Sequence, residues 1–235
     1  DYMKGECLGL RAFLHFDVAR LFAEDYTRST SSTRGIPYST TFDLNNKELL
    51  TLHKTYEAIL ADLNEAETLL ANDTVVNVET SPSSDYLKGR GVLFNKYAVA
   101  ATKARVYYAM GNYTEAARYA QQVLDATSNF KLKKLSSLDD VKRYPANGEM
   151  IFGLYNDKLS SNISEMFLNA TSRGNFTEAR RDIEDLYDKS SLSATSTDLR
   201  LTTYYREATA VSSGKTFSFV RFIESTAAVT NSPLK

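Results

Sequence analysis

The sequence predicts an all-α scaffold of stacked helix pairs, with long irregular loops and a few short strands. Three observations carry that reading. Asn95–Asp125 is an alanine-rich stretch broken once, at Gly111–Asn112, so it folds back as a helix hairpin. Met3–Phe22 and Lys47–Leu70 each repeat apolar residues at steps of three and four. Strand-like alternation is weak and confined to the last third.

The elements follow in order. Over Met3–Phe22 the apolar positions are Cys7, Leu10, Leu14, Val18 and Leu21–Phe22, expected to face the core. Asp25–Asp43, rich in Ser and Thr and holding Gly35 and Pro37, is expected to be a loop. Over Lys47–Leu70 the stripe is Leu49, Leu52, Tyr56, Ile59, Leu60, Leu63, Ala66 and Leu70, and this helix should run antiparallel to the first. Asn72–Gly91 reads as loop. In the hairpin, Asn95–Met110 should pack on Thr114–Ala126, with Gly111 as a left-handed cap and Thr114 as the second N-cap. Ala101, Ala104, Ala116 and Ala120 are expected to form a buried seam. Further on, Glu149–Tyr155 is read as a short extended segment, Thr177 as the cap of a helix over Glu178–Asp188, and Leu201–Tyr205 and Thr216–Ile223 as strand pieces. The small–aromatic–Gly–Ala–small order of Ala104, Tyr107, Gly111, Ala116 and Ala120 resembles one tetratricopeptide (TPR) repeat. Gly174–Ala179 (GNFTEA) echoes the hairpin turn GNYTEA, but the ordinary vocabulary of a helix start explains it.

Composition narrows function. The 235 residues are 43% hydrophobic and 24% charged, as in a globular protein with a sizeable core. A net charge of −1 offers no basic field for nucleic acid or an anionic membrane. One cysteine, Cys7, excludes an intrachain disulfide. No apolar run approaches the roughly 18 residues of a membrane-spanning helix. The opening DYMKGECLGLRAF lacks a start signal and the end SPLK lacks a natural stop, so the chain is expected to be an internal piece of a longer protein.

Catalytic, metal and cofactor motifs find little support. His15 and His53 stand alone on separate helices, and no HExxH, CxxC or acidic calcium loop occurs. Asp139–Asp140, Asp182 and Glu184–Asp185 are spaced as solvated surface acids rather than as a facing glycosidase pair. Asn-x-Ser/Thr sequons at Asn72, Asn112, Asn162, Asn169 and Asn175 would matter only in a eukaryotic secreted protein. No catalytic residue, metal ligand or cofactor is assigned.

Several motifs then fall into one order: GECLGLRAFLHFDVARLF (Gly5–Phe22), RGIPYSTT (Arg34–Thr41), TYEAILADLNEAETLL (Thr55–Leu70), the alanine-rich pair, GEMIFGLY (Gly148–Tyr155), and TDLR (Thr197–Arg200) before VRF (Val220–Phe222). That order resembles the SusD/RagB-like family of glycan-binding outer-membrane lipoproteins of Bacteroidetes. The resemblance implies one SusD-like helical domain over 1–235, incomplete at both ends. TPR-like helix pairs would occupy about 1–127 and an irregular ligand-side region about 128–235. It implies a nutrient-binding protein without catalysis at the cell surface, capturing an oligosaccharide or other nutrient. Its partner would be a SusC-like TonB-dependent transporter, and its lipid anchor would lie N-terminal to this chain. Cys7 is not that anchor, since no hydrophobic signal precedes it and it is expected on an apolar helix face. Asp198 and Arg200 match the family's Asp-x-Arg, expected to be a structural ion pair. The alternative reading is a TPR-type protein–protein scaffold with no small-molecule site. Sugar faces stack on flat aromatics, and loops on a rigid scaffold tend to carry binding groups. The expected ligand residues are therefore Tyr155, Phe176, Tyr204 and Tyr205, although packing competes as the role of each.

Overall fold

The computed structural model describes residues 1–74, 90, 93–130, 150–153, 158, 177–179, 186–187, 205–210 and 214–219, the last three strand segments by their backbone. Two compact units divide the chain, 1–131 with 150–154, and 132–149 with 155–235. In the first unit, α1 (Tyr2–Phe22) is followed by a 3-10 turn (Tyr26–Arg28), β1 (Arg34–Pro37), β2 (Leu49–Thr51), α2 (Leu52–Leu69), α3 (Lys96–Ala109) and α4 (Tyr113–Leu124). In the second unit, β3 (Thr177–Ala179), β4 (Tyr205–Ala210) and β5 (Gly214–Phe219) form an antiparallel sheet in the order β3-β5-β4. The architecture is mostly helical and TPR-like, as the helical periodicities predict.

Helices α1 and α2 run antiparallel. Tyr2 donates to the Asn72 carbonyl, Arg11 reaches Asp62, and Phe16 meets the edge of Tyr56 at 6.0 Å. The face that α1 buries corrects the expected one. Gly5, Leu8, Gly9, Ala12, Phe16 and Ala19 point inward, whereas Cys7, Leu14, Val18, Leu21 and Phe22 are exposed. The reason is steric. The bulky α2 stripe and Phe94 need a partner surface of small residues, and glycine and alanine on α1 supply it. Nearly all of the expected α2 stripe is buried or partly buried, but the helix starts later than its periodicity suggests. Leu49–Thr51 instead pairs with β1, and Thr51 caps α2 through its side chain.

Asn95, fully buried, caps α3 by accepting from the amides of Tyr97 and Ala98 at 2.9 and 3.1 Å. Its amide nitrogen donates to the Ile151 carbonyl at 2.8 Å, which ties 150–153 to the start of α3. Ile151–Phe152 is a bend rather than the expected extended strand, and Phe152 closes an edge-on aromatic cluster with Phe13 and Phe94. Gly111 takes φ +75, as expected for a left-handed cap. The N-cap of α4 is Asn112, whose side chain accepts from Glu115 N, in place of the expected Thr114. Thr177–Ala179 pairs with β5 and is not the start of a helix, so the strand ladder overrides the local capping pattern there.

Buried charge is paired throughout the core. Arg90 grips Asp73 with two hydrogen bonds, of 2.8 and 2.7 Å, and also pairs with Glu6. Lys103, almost fully buried, pairs with Glu67 and donates to the Tyr119 hydroxyl at 2.7 Å. Asp62 accepts from Arg11 (2.6 and 2.7 Å) and from Tyr38 (2.6 Å), which locks the segment after β1 onto both helices.

Candidate functional site

Two places among the described residues could meet a ligand or partner. The first is a groove of about 690 Å³ between the C-terminal half of α1 and the α3–α4 hairpin. Helix α1 contributes Phe16 and Arg20, α3 contributes Ala104, Arg105, Tyr108 and Ala109, and α4 contributes Tyr113, Ala116, Ala117 and Ala120. The floor is therefore methyl groups. Tyr108 and Tyr113 rise from its hairpin end as an edge-on pair 5.5 Å apart, 68% and 63% exposed.

The expected alanine seam is only half buried. Ala116 is 7% exposed, Ala101 and Ala104 are partly buried, and Ala120 is exposed. The hairpin closes through larger groups instead. Tyr107 stacks on Tyr119 at 5.7 Å, Lys103 donates to Tyr119, and Tyr97 meets Phe130 edge-on. Burial, and then the neighbouring Tyr119, hold the Tyr107 phenol above its ordinary pKa. The alanines on the α1 side are left to line the groove.

Arg20 and Arg105 stand at the α1 edge of the groove, their guanidinium carbons 5.5 and 5.4 Å from the centre of the same Phe16 ring. Arg105 also bonds Asp17 at 2.9 Å. Arg20 has no carboxylate partner among the described residues.

The second place is the loop between β1 and β2. Ser39 N donates to His15 Nε2 at 3.1 Å, and the His15 and Tyr38 ring centres lie 4.2 Å apart with the rings tilted by 32°. Asp43 accepts from Thr41 Oγ1, Asn45 N and Lys47 Nζ at 2.5 to 2.8 Å. The Lys47 bond, then that from Thr41, holds the Asp43 carboxyl below its ordinary pKa. On this braced turn Phe42 and Leu44 project fully into solvent. Neither was singled out from the sequence. The available signal was an Asx turn, Asp43 two residues before Asn45, flanked by apolar side chains in a polar loop.

Of the expected ligand residues, Tyr205 begins β4 opposite Phe219. Tyr155, Phe176 and Tyr204 lie outside the described residues, as do Asp198 and Arg200 and the acids Asp139, Asp140, Asp182, Glu184 and Asp185. His15 and His53 are packing groups rather than ligands: His53 lies 4.9 Å from the Tyr26 ring and hydrogen-bonds Ser29. Among the described residues no helix is long and apolar enough to cross a membrane.

Comparison with known proteins agrees with this architecture. Residues 1–108 match a SusD-like family described as starch-binding associating with outer membrane. A SusD superfamily protein from Bacteroides thetaiotaomicron superposes with a TM-score of 0.53 at 24% identity, covering 66% of this chain and 31% of that one. A SusD-like carbohydrate binding protein from Bacteroides vulgatus gives 0.59 at 19% identity, over 88% and 41%. A SusD superfamily protein from Bacteroides fragilis gives 0.60 at 19% identity, over 94% and 48%. The chain thus spans between a third and a half of the length of these structures. No curated protein matches it. Over 1–108, through most of α3, the resemblance read from the ordered motifs agrees with the family match, and the backbone is similar in fold to these SusD superfamily structures.

Proposed function

We propose that this chain is part of a glycan-binding component of an outer-membrane TonB-dependent uptake system, and that it does no catalysis. The observation that carries this reading is the match of 1–108 to a family described as starch-binding and outer-membrane-associated. The SusD superfamily fold over 94% of the chain supports it. In this reading a SusC-like transporter is the protein partner, and a lipid anchor outside this chain holds the assembly at the cell surface.

Sugar contacts would come from aromatics outside the helix pairs, since a flat ring stacks on a pyranose face while hydroxyls find polar neighbours. Tyr155, Phe176, Tyr204 and Tyr205 remain the proposed contacts. Calorimetry with a panel of neutral oligosaccharides tests the reading on the full-length protein. Binding should change little with salt, because stacking and neutral hydrogen bonds are poorly screened. It should weaken in Tyr204→Ala or Tyr205→Ala. Cleavage of the glycan, or no binding across the panel, would sink the proposal.

The second reading, a TPR-type protein–protein scaffold, is favoured by one observation. The exposed pair Tyr108 and Tyr113 lies in the helical groove and not on a loop. Repeat scaffolds present their binding residues on such helical surfaces.

A further inference from the structure

We propose that His15 is a pH-sensitive latch: its neutral imidazole holds the loop after β1 against α1, and protonation of the ring releases that loop at Ser39. The inference concerns the α1–α2 pair itself and does not depend on glycan capture.

The two partners of the ring fix its state. His15 Nδ1 lies 2.8 Å from the Arg11 carbonyl oxygen, which can only accept. His15 Nε2 lies 3.1 Å from Ser39 N, which can only donate. The first nitrogen must carry a proton and the second must not. Only the neutral imidazole protonated on Nδ1 satisfies both. An imidazolium has N–H on both nitrogens, so a donor would face the Ser39 amide, and turning the ring over changes nothing. Histidine is also the side chain that ordinarily changes charge between about pH 5 and 8.

The surroundings place the hinge. The Tyr38 ring centre is 4.2 Å from that of His15, and a cation gains from an aromatic face at such a distance. Tyr38 is also held by its 2.6 Å hydrogen bond to Asp62 on α2. Protonation therefore leaves Tyr38 in place and frees the next residue. Further along, Thr41, Asp43, Asn45 and Lys47 bond to one another. The turn that displays Phe42 and Leu44 is thus released as a braced unit.

The charged and titratable groups on the elements around the ring, among the described residues, are Arg11 on α1, Tyr38, Asp43 and Lys47 on the loop, and Asp62 on α2. The Asp62 hydrogen bond holds Arg11 charged, and burial holds the Tyr38 phenol uncharged. The Lys47 bond keeps the Asp43 carboxyl below its ordinary range. Arg11, Tyr38 and Asp43 therefore keep one charge state from about pH 5 to 8. Arg11 sits one helical turn before His15, so a charged ring also meets a like charge that Asp62 only partly offsets.

Amide hydrogen exchange on the full-length protein tests the latch, read by mass spectrometry at single amides and corrected for the intrinsic pH dependence of exchange. Between about pH 7.5 and about pH 5 the Ser39 amide should lose protection about three- to tenfold, the worth of one hydrogen bond. Amides of α1 and α2 should keep theirs, as should Asn45 N, whose acceptor is Asp43. His15→Gln offers a carboxamide oxygen in place of Nε2, an acceptor that does not titrate, and should protect Ser39 at both pH values. His53→Gln should keep the switch. Unchanged Ser39 protection in the parent would overturn the proposal, as would a switch that survives His15→Gln or disappears in His53→Gln. A loss shared by α1 and α2 would also overturn it, since acid would then be loosening the helix pair. If His15→Gln disturbs α1 at neutral pH, the parent titration decides. Ser39 protection and the His15 imidazole resonance must then share one midpoint, and separate midpoints sink the latch.

Discussion

Gly35 lies so close to Thr55 that a Cβ on the glycine would sit 2.2 Å from Thr55 Oγ1. It would also come within 2.8 Å of the Thr51 carbonyl and 2.9 Å of Leu52 Cα, which are backbone and cannot swing aside. The Thr55 hydroxyl in turn accepts from Ile36 N at 3.2 Å. The RGIP segment is thereby pressed onto the first turn of α2, and glycine is the residue that allows it. Gly35→Ala should destabilise the chain by about 1–3 kcal/mol through overpacking. Urea unfolding checks this, and an unchanged midpoint would show that β1 can detach from α2 at no cost.

The Arg90–Asp73 pair should behave as a buried ion pair. The Asp73 side chain is fully buried and that of Arg90 is 1% exposed. Burial opposes the Arg90 charge, but the bonds and charges of Asp73 and Glu6 outweigh it and raise the pKa of the guanidinium. Removing Asp73 takes two hydrogen bonds and one of the carboxylates away from the buried Arg90 charge. Asp73→Ala should therefore cost about 3–5 kcal/mol. The double replacement Asp73→Leu with Arg90→Met should recover part of that loss in thermal melts; a double variant less stable than Asp73→Ala would contradict the account.

Gly111 has φ +75, and among the described residues only the Thr27 methyl, at 3.2 Å, lies near its missing side chain. The strain on substitution is in the backbone and not in packing. Gly111→Val should cost about 1–2 kcal/mol, and Gly111→Asn clearly less, since Asn tolerates this conformation. Equal losses for the two would point to crowding against Thr27 instead.

Ala104 tests whether the groove is open. A fully buried alanine replaced by leucine would lose about 1–3 kcal/mol by overpacking. With the groove free, Ala104→Leu should stay within about 0.5 kcal/mol of the parent in urea unfolding. A large loss of stability would mean that the floor is already covered.

Tyr38 gives a pH dependence. Burial first, then its hydrogen bond to Asp62, raise the phenol pKa well above its ordinary value. The folded state thus holds this proton more tightly than the unfolded one. The stabilisation is fully present below about pH 10, the unfolded phenol pKa, and is lost as pH rises from there through the raised folded value. Tyr26, Tyr56 and Tyr107 are raised as well, so they share the effect. Tyr38→Phe should lower stability at neutral pH and flatten part of the decline above pH 10. An unchanged alkaline slope would assign that decline to the other phenols.

The sequence alone determined what depends on local periodicity and backbone chemistry. The α3–α4 hairpin, the left-handed turn at Gly111, most of the α2 stripe and the ordered motifs of a SusD-like chain were all legible there. The hairpin, the turn and the stripe are each set by residues within a few turns of one another, and each motif is a short local run. Tertiary structure decided which face of α1 is buried. Cys7, Leu14 and Val18 have the right spacing for a core stripe, but Gly5, Gly9 and Ala12 have the right size for the surface that α2 and Phe94 present. Packing selects on fit, and fit depends on a partner far away in the chain. The same holds for Thr177–Ala179, where a helix-start pattern yields to a β-ladder with Thr216–Ser218. It holds also for the alanine seam, half of which faces open space because Tyr107, Tyr119 and Lys103 close the hairpin on its other side. The groove is a product of such distant pairings, so no local pattern announces it.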